Sequence, residues 1–214
     1  MNLLFVGNSH TYFNTMPETV LKLLEATGQK ASATMLAEGG KGLAYHVTSR
    51  LVPFAIRNGS YDAVIIQDRA TGFDPAAFEE GAKALKEMAD SVGIPLYLYM
   101  PWAGRDSRAA QRTMTDAYDR FARANGCAIA PAGEVFMRIL TREKPGLLYR
   151  EDGNHATPFG SYLAALTIFY TLTKRKRVMN VSRLNDPGIA AGFDPKLCQR
   201  GHTEACHVSR IFND

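Results

Sequence analysis

Ser9 is the serine of this chain most plainly placed to act as a nucleophile. It stands in VGNSHTYFNTMPETV, residues 6–20, directly after the apolar run 3–6, where a strand that turns sharply into a helix would expose its hydroxyl. Gly7 and Asn8 alone would satisfy a structural turn, so the serine asks for partners. Its hydroxyl is a weak nucleophile at neutral pH and needs a base. Of the five histidines, His155 is best placed, in EDGNHATPFG, three residues after Asp152. A tight loop, permitted by Gly153, can turn that carboxylate onto imidazole Nδ1 and leave Nε2 to take the serine proton. Such a set would attack an acyl carbonyl. Taken alone, the same stretch also reads as a loop capping the helix that Pro158 begins, with an incidental histidine.

The elements that must hold these groups follow from the apolar pattern. Strands are predicted at 3–6, 32–36, 62–67, 95–100 and 127–130, and helices at 17–27, 44–57, 75–92, 107–125, 133–142 and 158–173. Pro17, Pro75 and Pro158 suit first helical turns, and Gly28 and Gly126 suit helix ends. Near-continuous apolar strands separated by helices predict a five-stranded parallel sheet covered on both faces, a doubly wound three-layer α/β/α sandwich. In such sheets ligands bind beyond the carboxyl ends of the strands. Ser9 follows the first strand, Gly39 and Gly40 follow the second, and Gln67 ends the third, all on that rim. Residues 1–178 form the expected catalytic domain. The tail, 179–214, has weak apolar periodicity and several Gly and Pro residues, and is expected either to pack on the domain as loops with a short helix or to be partly disordered.

GNSHT together with DGNH resembles the SGNH hydrolases, the superfamily that includes the GDSL esterases and lipases, over about residues 1–173. Asn8 stands where many members have Asp. Asp152 and His155 match the last block, and AEGGKGLAYH is similar to the second block, whose glycine N–H enters the oxyanion hole. The resemblance implies a flavodoxin-like fold and a Ser9–His155–Asp152 triad, with the Ser9 and Gly40 N–H groups receiving the oxyanion. One block departs: VIIQDRATG lacks the Asn that members place after the third strand, and Gln67 is the expected substitute donor. Asp68 and Arg69 are read as loop support. The implied activity is hydrolysis of short-chain carboxylic esters, O-acetyl groups on carbohydrate among them, without cofactor or metal. An O-acyltransferase with the same triad, or a non-catalytic flavodoxin-like binding module, are the alternatives.

Other residues also invite a role. His10 and His46, with Gly39, are the expected substrate-side residues, and Tyr12, Tyr45, Tyr99 and Trp102 could stack on sugar. Ser161 lies inside a helix and lacks an exposed turn. GGKG at 39–42 lacks the Gly-Lys-Ser/Thr ending of a phosphate-binding loop. Cys198, His202, Cys206 and His207 are spaced as in no common zinc finger, so no metal is expected.

Composition narrows the class further. Hydrophobic residues make up 46% and charged residues 21%, as in a globular domain. A net charge of +4 does not argue for nucleic acid, and the basic run 174–177 suits the carboxyl end of a helix. Three cysteines are no disulfide framework. No apolar stretch suggests a signal peptide or membrane span, so a cytoplasmic protein with no membrane partner is expected, acting on a small-molecule or carbohydrate ester.

Overall fold

Apolar runs with period-two faces assemble the sheet. In the computed structural model, which describes residues 1–214 with the side chain of Arg183 excepted, the strands are β1 (Asn2–Gly7), β2 (Ser32–Ala37), β3 (Ala63–Ile66), β4 (Leu96–Tyr99) and β5 (Ala128–Ala130). All pair in parallel, in the order β2-β1-β3-β4-β5, with Phe5 beside Ile65 and Val6 beside Ile66. Alternation sends Leu3, Phe5 and Ile65 to one core and Leu4, Val6, Val64 and Ile66 to the other. Helices α2 (Met16–Glu25), α7 (Ala132–Ile139), α8 (Pro158–Thr173) and α10 (Pro195–Asn213) cover the first face. Helices α3 (Leu43–Thr48), α4 (Leu51–Asn58), α5 (Pro75–Asp90) and α6 (Ala110–Asn125) cover the second. Two short helices, α1 (Ser9–Tyr12) and α9 (Pro187–Ala190), complete the set. This is the three-layer α/β/α architecture expected from the sequence. No helix among the described residues is long and apolar enough to cross a membrane.

Two segments differ from the expected elements. The single helix expected at 44–57 is two, parted at Ser49, whose backbone is extended. Pro53 is the cause: it has no N–H to give the Ser49 carbonyl, and its ring crowds that carbonyl, so the helix restarts with Pro53 in its first turn. The tail contains a 19-residue helix, α10. Its buried face is Cys198, Gly201, His202, Ala205, Cys206, Val208 and Ser209, small or polar residues that hide helical periodicity from a hydrophobic reading. Gly201 is required there, because a Cβ would lie 2.7 Å from Leu163 Cδ2. The missing side chain lets α10 press onto α8, which is itself buried nearly all round.

A buried polar chain ties the tail down. His202 Nε2 meets Asp186 Oδ2 at 2.9 Å, and Tyr170 Oη meets His202 Nδ1 at 2.9 Å. Asp186 Oδ1 accepts from Tyr162 Oη at 2.9 Å and from Gly188 N–H at 2.8 Å, capping α9. Burial alone would push the Asp186 carboxyl up, but hydrogen bonds from His202 and Tyr162 bring it below its ordinary value. His202 is thus committed to a carboxylate and a phenol, and His207 is exposed; among the described residues no three metal-ligating side chains converge. Asp186→Ala leaves two buried donors facing nothing and uncaps α9. It should lower unfolding free energy by roughly 3–5 kcal/mol, the usual penalty for breaking a buried pair from one side, measured by urea denaturation. The contribution is present above the ordinary carboxylate pKa and is lost as pH falls below it.

Candidate active site

The site is built on the end of β1. Asn8 caps α1, its Oδ1 accepting the His10 N–H at 3.1 Å, so Ser9 becomes the first helical residue. Gly7 is obligatory: a Cβ would lie 2.4 Å from Thr11 Oγ1 and 2.6 Å from Gln67 Oε1. Its carbonyl accepts from Glu38 N–H at 3.0 Å and meets His46 Nε2 at 2.7 Å. Asn8 Nδ2 donates to the Lys41 carbonyl at 2.9 Å, tying the serine turn to the glycine loop 39–42.

The second half comes from the turn before α8. An antiparallel bridge joins Tyr149 to Ala156, and Arg150 N–H donates to the His155 carbonyl at 2.8 Å. Gly153 sits at φ 67°, a conformation side chains disfavour, and makes the tight turn possible. Asp152 Oδ1 accepts the Asn154 and His155 N–H groups, both at 2.9 Å. That frees Oδ2 to take His155 Nδ1 at 2.7 Å, and His155 Nε2 lies 2.9 Å from Ser9 Oγ. Because an ionised carboxylate only accepts, Nδ1 carries the proton and Nε2 accepts from the serine hydroxyl. The His155 hydrogen bond, with those from the Asn154 and His155 amides, lowers the Asp152 pKa to about 2. The three groups, at positions 9, 152 and 155 and so spread over 146 residues of sequence, form one continuous chain of hydrogen bonds.

Phe13, which no sequence motif marks, has a place here. Its ring stacks on the His155 imidazole at 4.2 Å and 12°, with the Arg150 guanidinium 5.4 Å above the ring. The signal for it was weak: Asn14 and Thr15 have left-handed backbones (φ 52° and 50°), which turns the chain after Phe13, and neither residue type announces that. Trp102 Nε1 donates to the Asn154 carbonyl at 2.9 Å and Thr71 Oγ1 to Asn154 Oδ1 at 2.9 Å, bracing the histidine turn.

Several anticipated residues lie elsewhere. His10 is buried against Trp102, with ring centroids 4.9 Å apart, and lies behind His155, whose ring centroid is 5.7 Å away. Burial, aided by His155, pushes its pKa down to about 3, so it is a neutral wall. His46 is buried beneath the end of β1 rather than facing a ligand. Gln67 is also corrected. Its Oε1 accepts from Asn8 N–H at 3.1 Å and Thr11 Oγ1 at 2.8 Å, its Nε2 donates to the Asp68 carbonyl, and the residue is wholly buried. It supports the serine turn and presents no donor to solvent. Asp68 accepts Leu43 N–H at 2.9 Å, holding the start of α3. Tyr99 and Trp102 are core residues, whereas Tyr45 is exposed and Gly39 and Gly40 lie open on the rim. Among the described residues the N–H groups of Ser9 and Gly40 have no acceptor. Gly40 reaches its turn at φ 71°.

No protein-family model matches the chain, and a search of curated proteins finds no match. Solved structures do match. A candidate SGNH hydrolase from Slackia heliotrinireducens is 27% identical with a TM-score of 0.67, over 80% of this chain and 98% of that one. A DUF4886 family protein from Bacteroides uniformis is 20% identical with a TM-score of 0.78, over 100% and 96%. Axe2, an acetylxylan esterase from Geobacillus stearothermophilus, is 17% identical with a TM-score of 0.63, over 78% and 93%. The last two likenesses are likenesses of fold.

Proposed function

We propose that this chain, a member of the SGNH hydrolase superfamily, is a serine esterase that removes short acyl groups through a covalent acyl-enzyme. The observation that carries the reading is the unbroken relay Ser9 Oγ–His155 Nε2 at 2.9 Å and His155 Nδ1–Asp152 Oδ2 at 2.7 Å. Ser9 Oγ bonds to the ester carbonyl carbon as its proton passes to His155 Nε2. The carbonyl oxygen gains negative charge, which the Ser9 and Gly40 N–H groups receive; donors already aimed at that position stabilise the transition state most. The tetrahedral intermediate collapses, the bond to the alkoxy oxygen breaks, and His155 returns the proton to the leaving alcohol. Water then repeats the sequence on the acyl-enzyme and releases the acid. Asp152 holds the imidazole in the reactive tautomer and stabilises imidazolium, and Phe13 fixes the ring plane.

O-acetyl groups on carbohydrate are the substrate class in view. The open glycine rim, the exposed Tyr45 ring and the likeness to an acetylxylan esterase support it. The test is release of free acetate from an aryl acetate and from an acetylated oligosaccharide, with added alcohols to reveal transfer. A protein that binds the oligosaccharide without releasing acetate would be a binding module.

The pH profile has a definite form. Asp152 stays ionised until pH falls to about 2, and His10 stays neutral down to about 3. Above those values neither changes charge, so the acid limb of kcat/KM should follow one proton, that of the general base. Asp152→Asn should lower kcat by roughly 10⁴-fold, since the amide favours the wrong tautomer. Steady-state kinetics across pH check both; a limb of slope two would show a second titrating group.

A further inference from the structure

The two edges of the sheet are finished differently. At β5 the Asn213 side chain accepts Ile129 N–H at 2.8 Å and donates to the Ile129 carbonyl at 2.8 Å, so α10 closes that edge. At β2 nothing comparable is present. Ser32 and Glu38 direct their N–H groups inward, to the Met1 and Gly7 carbonyls at 2.9 and 3.0 Å. By strand alternation the N–H and C=O groups of Ala33, Met35 and Ala37 point outward, and none has a partner among the described residues. The six residues SATMLA contain no charge and no proline, and Met35 is 45% exposed. Charges, prolines and covering side chains are the usual protection of an edge strand, and β2 lacks them.

We propose that β2 pairs antiparallel with β2 of a second copy of this chain, about a two-fold axis at Thr34 that sets Lys30 of each copy opposite Glu38 of the other. The register follows from parity and charge. Antiparallel pairs exchange hydrogen bonds only between residues whose groups point outward, so odd positions must face odd ones. An axis at Thr34 pairs Ala33 with Met35 and Ala31 with Ala37, and leaves Thr34–Thr34, Ser32–Leu36 and Lys30–Glu38 as the intervening pairs. An axis at Met35 would also satisfy parity, but would set Lys30 against Gly40 and Glu38 against Ser32. Neither Lys30 nor Glu38 has an ion-pair partner within its own chain among the described residues. The same patch serves both copies, as a two-fold interface requires. The crossover that leaves β2 also carries Leu51 and Phe54, each 68% exposed, apolar area that strand pairing alone does not supply.

Sedimentation velocity on the full chain over a dilution series should show a monomer–dimer equilibrium. Lys30→Glu and Glu38→Lys should each weaken it by about tenfold, from two like-charged pairs per dimer, and the double reversal should restore it. Thr34→Cys should form a disulfide-linked dimer under mild oxidation, because directly opposed residues of a non-hydrogen-bonded pair sit about 4.5 Å apart. Ala33→Cys, which faces Met35, should not, and neither should the wild type with its own cysteines. A monomer at every concentration would overturn the proposal. So would a dimer indifferent to both charge reversals, or equal cross-linking through positions 33 and 34.

Discussion

Ser9→Ala is expected to fold as the parent does and to lose esterase turnover by roughly 10⁴-fold or more, because the members of a triad act as a unit. The substitution removes one hydroxyl from the first position of α1, where alanine is a good helix former. Its Oγ makes no bond that holds the turn; the cap is made by Asn8 and the support by Gln67 and His46. The Ser9→Ala protein should therefore melt close to the parent temperature while its chemistry stops. Residual activity measures what the oxyanion donors do alone, since the Ser9 and Gly40 N–H groups remain. A fluorophosphonate should label Ser9 of the parent and nothing in the variant. Labelling at Ser161 would overturn the assignment, although that hydroxyl is buried inside α8 and accepts from Asn14 Nδ2 at 2.8 Å. Retained turnover in Ser9→Ala would leave the relay as a structural clasp.

The parts of this molecule that were legible in sequence are those dictated by short-range chemistry. Apolar strands of four to six residues with Pro at helix starts allow few folds, and Ser9, Asp152 and His155 were legible because each sits in a motif whose local geometry follows from its neighbours. The tail was not legible, because α10 buries cysteines, a glycine and a histidine on its inner face. Its stability comes from close approach at Gly201 and from a carboxylate at Asp186, sixteen residues away from His202. His10 and His46 show the other limit. A histidine beside the nucleophile and one after the glycine loop have the right composition for a binding surface. Only the packing of Trp102 and the position of the Gly7 carbonyl decide that both face inward. Phe13 likewise gains its role from a left-handed turn that its sequence does not signal.

Gln67→Ala is expected to damage the protein through the serine turn rather than through a missing oxyanion donor. The Gln67 side chain is wholly buried, with its oxygen on the Asn8 amide and Thr11 hydroxyl and its nitrogen on the Asp68 carbonyl. Truncation leaves two buried donors unpaired, at about 1–3 kcal/mol each, so stability should fall by roughly 2–6 kcal/mol. The effect reaches catalysis because Asn8 is the residue before the nucleophile and Thr11 the residue two after it. Both lose the contact that fixes them, and Ser9 Oγ can drift from His155 Nε2; misplacement by about 1 Å can lower turnover by about 10²-fold. Gln67→Glu separates the two roles. A carboxylate can still accept from Asn8 and Thr11, but it cannot donate to the Asp68 carbonyl, and it introduces charge beside Asp68, whose own pKa burial already raises. The glutamate variant should therefore also melt lower, and lower still as pH rises and the buried carboxyl is driven to ionise. A direct donor role predicts another pattern: parent-like melting in both variants, with kcat reduced and KM unchanged. Melting temperature against pH, together with kcat and KM for both proteins, discriminates between them. Parent-like stability with reduced kcat would return Gln67 to the oxyanion hole.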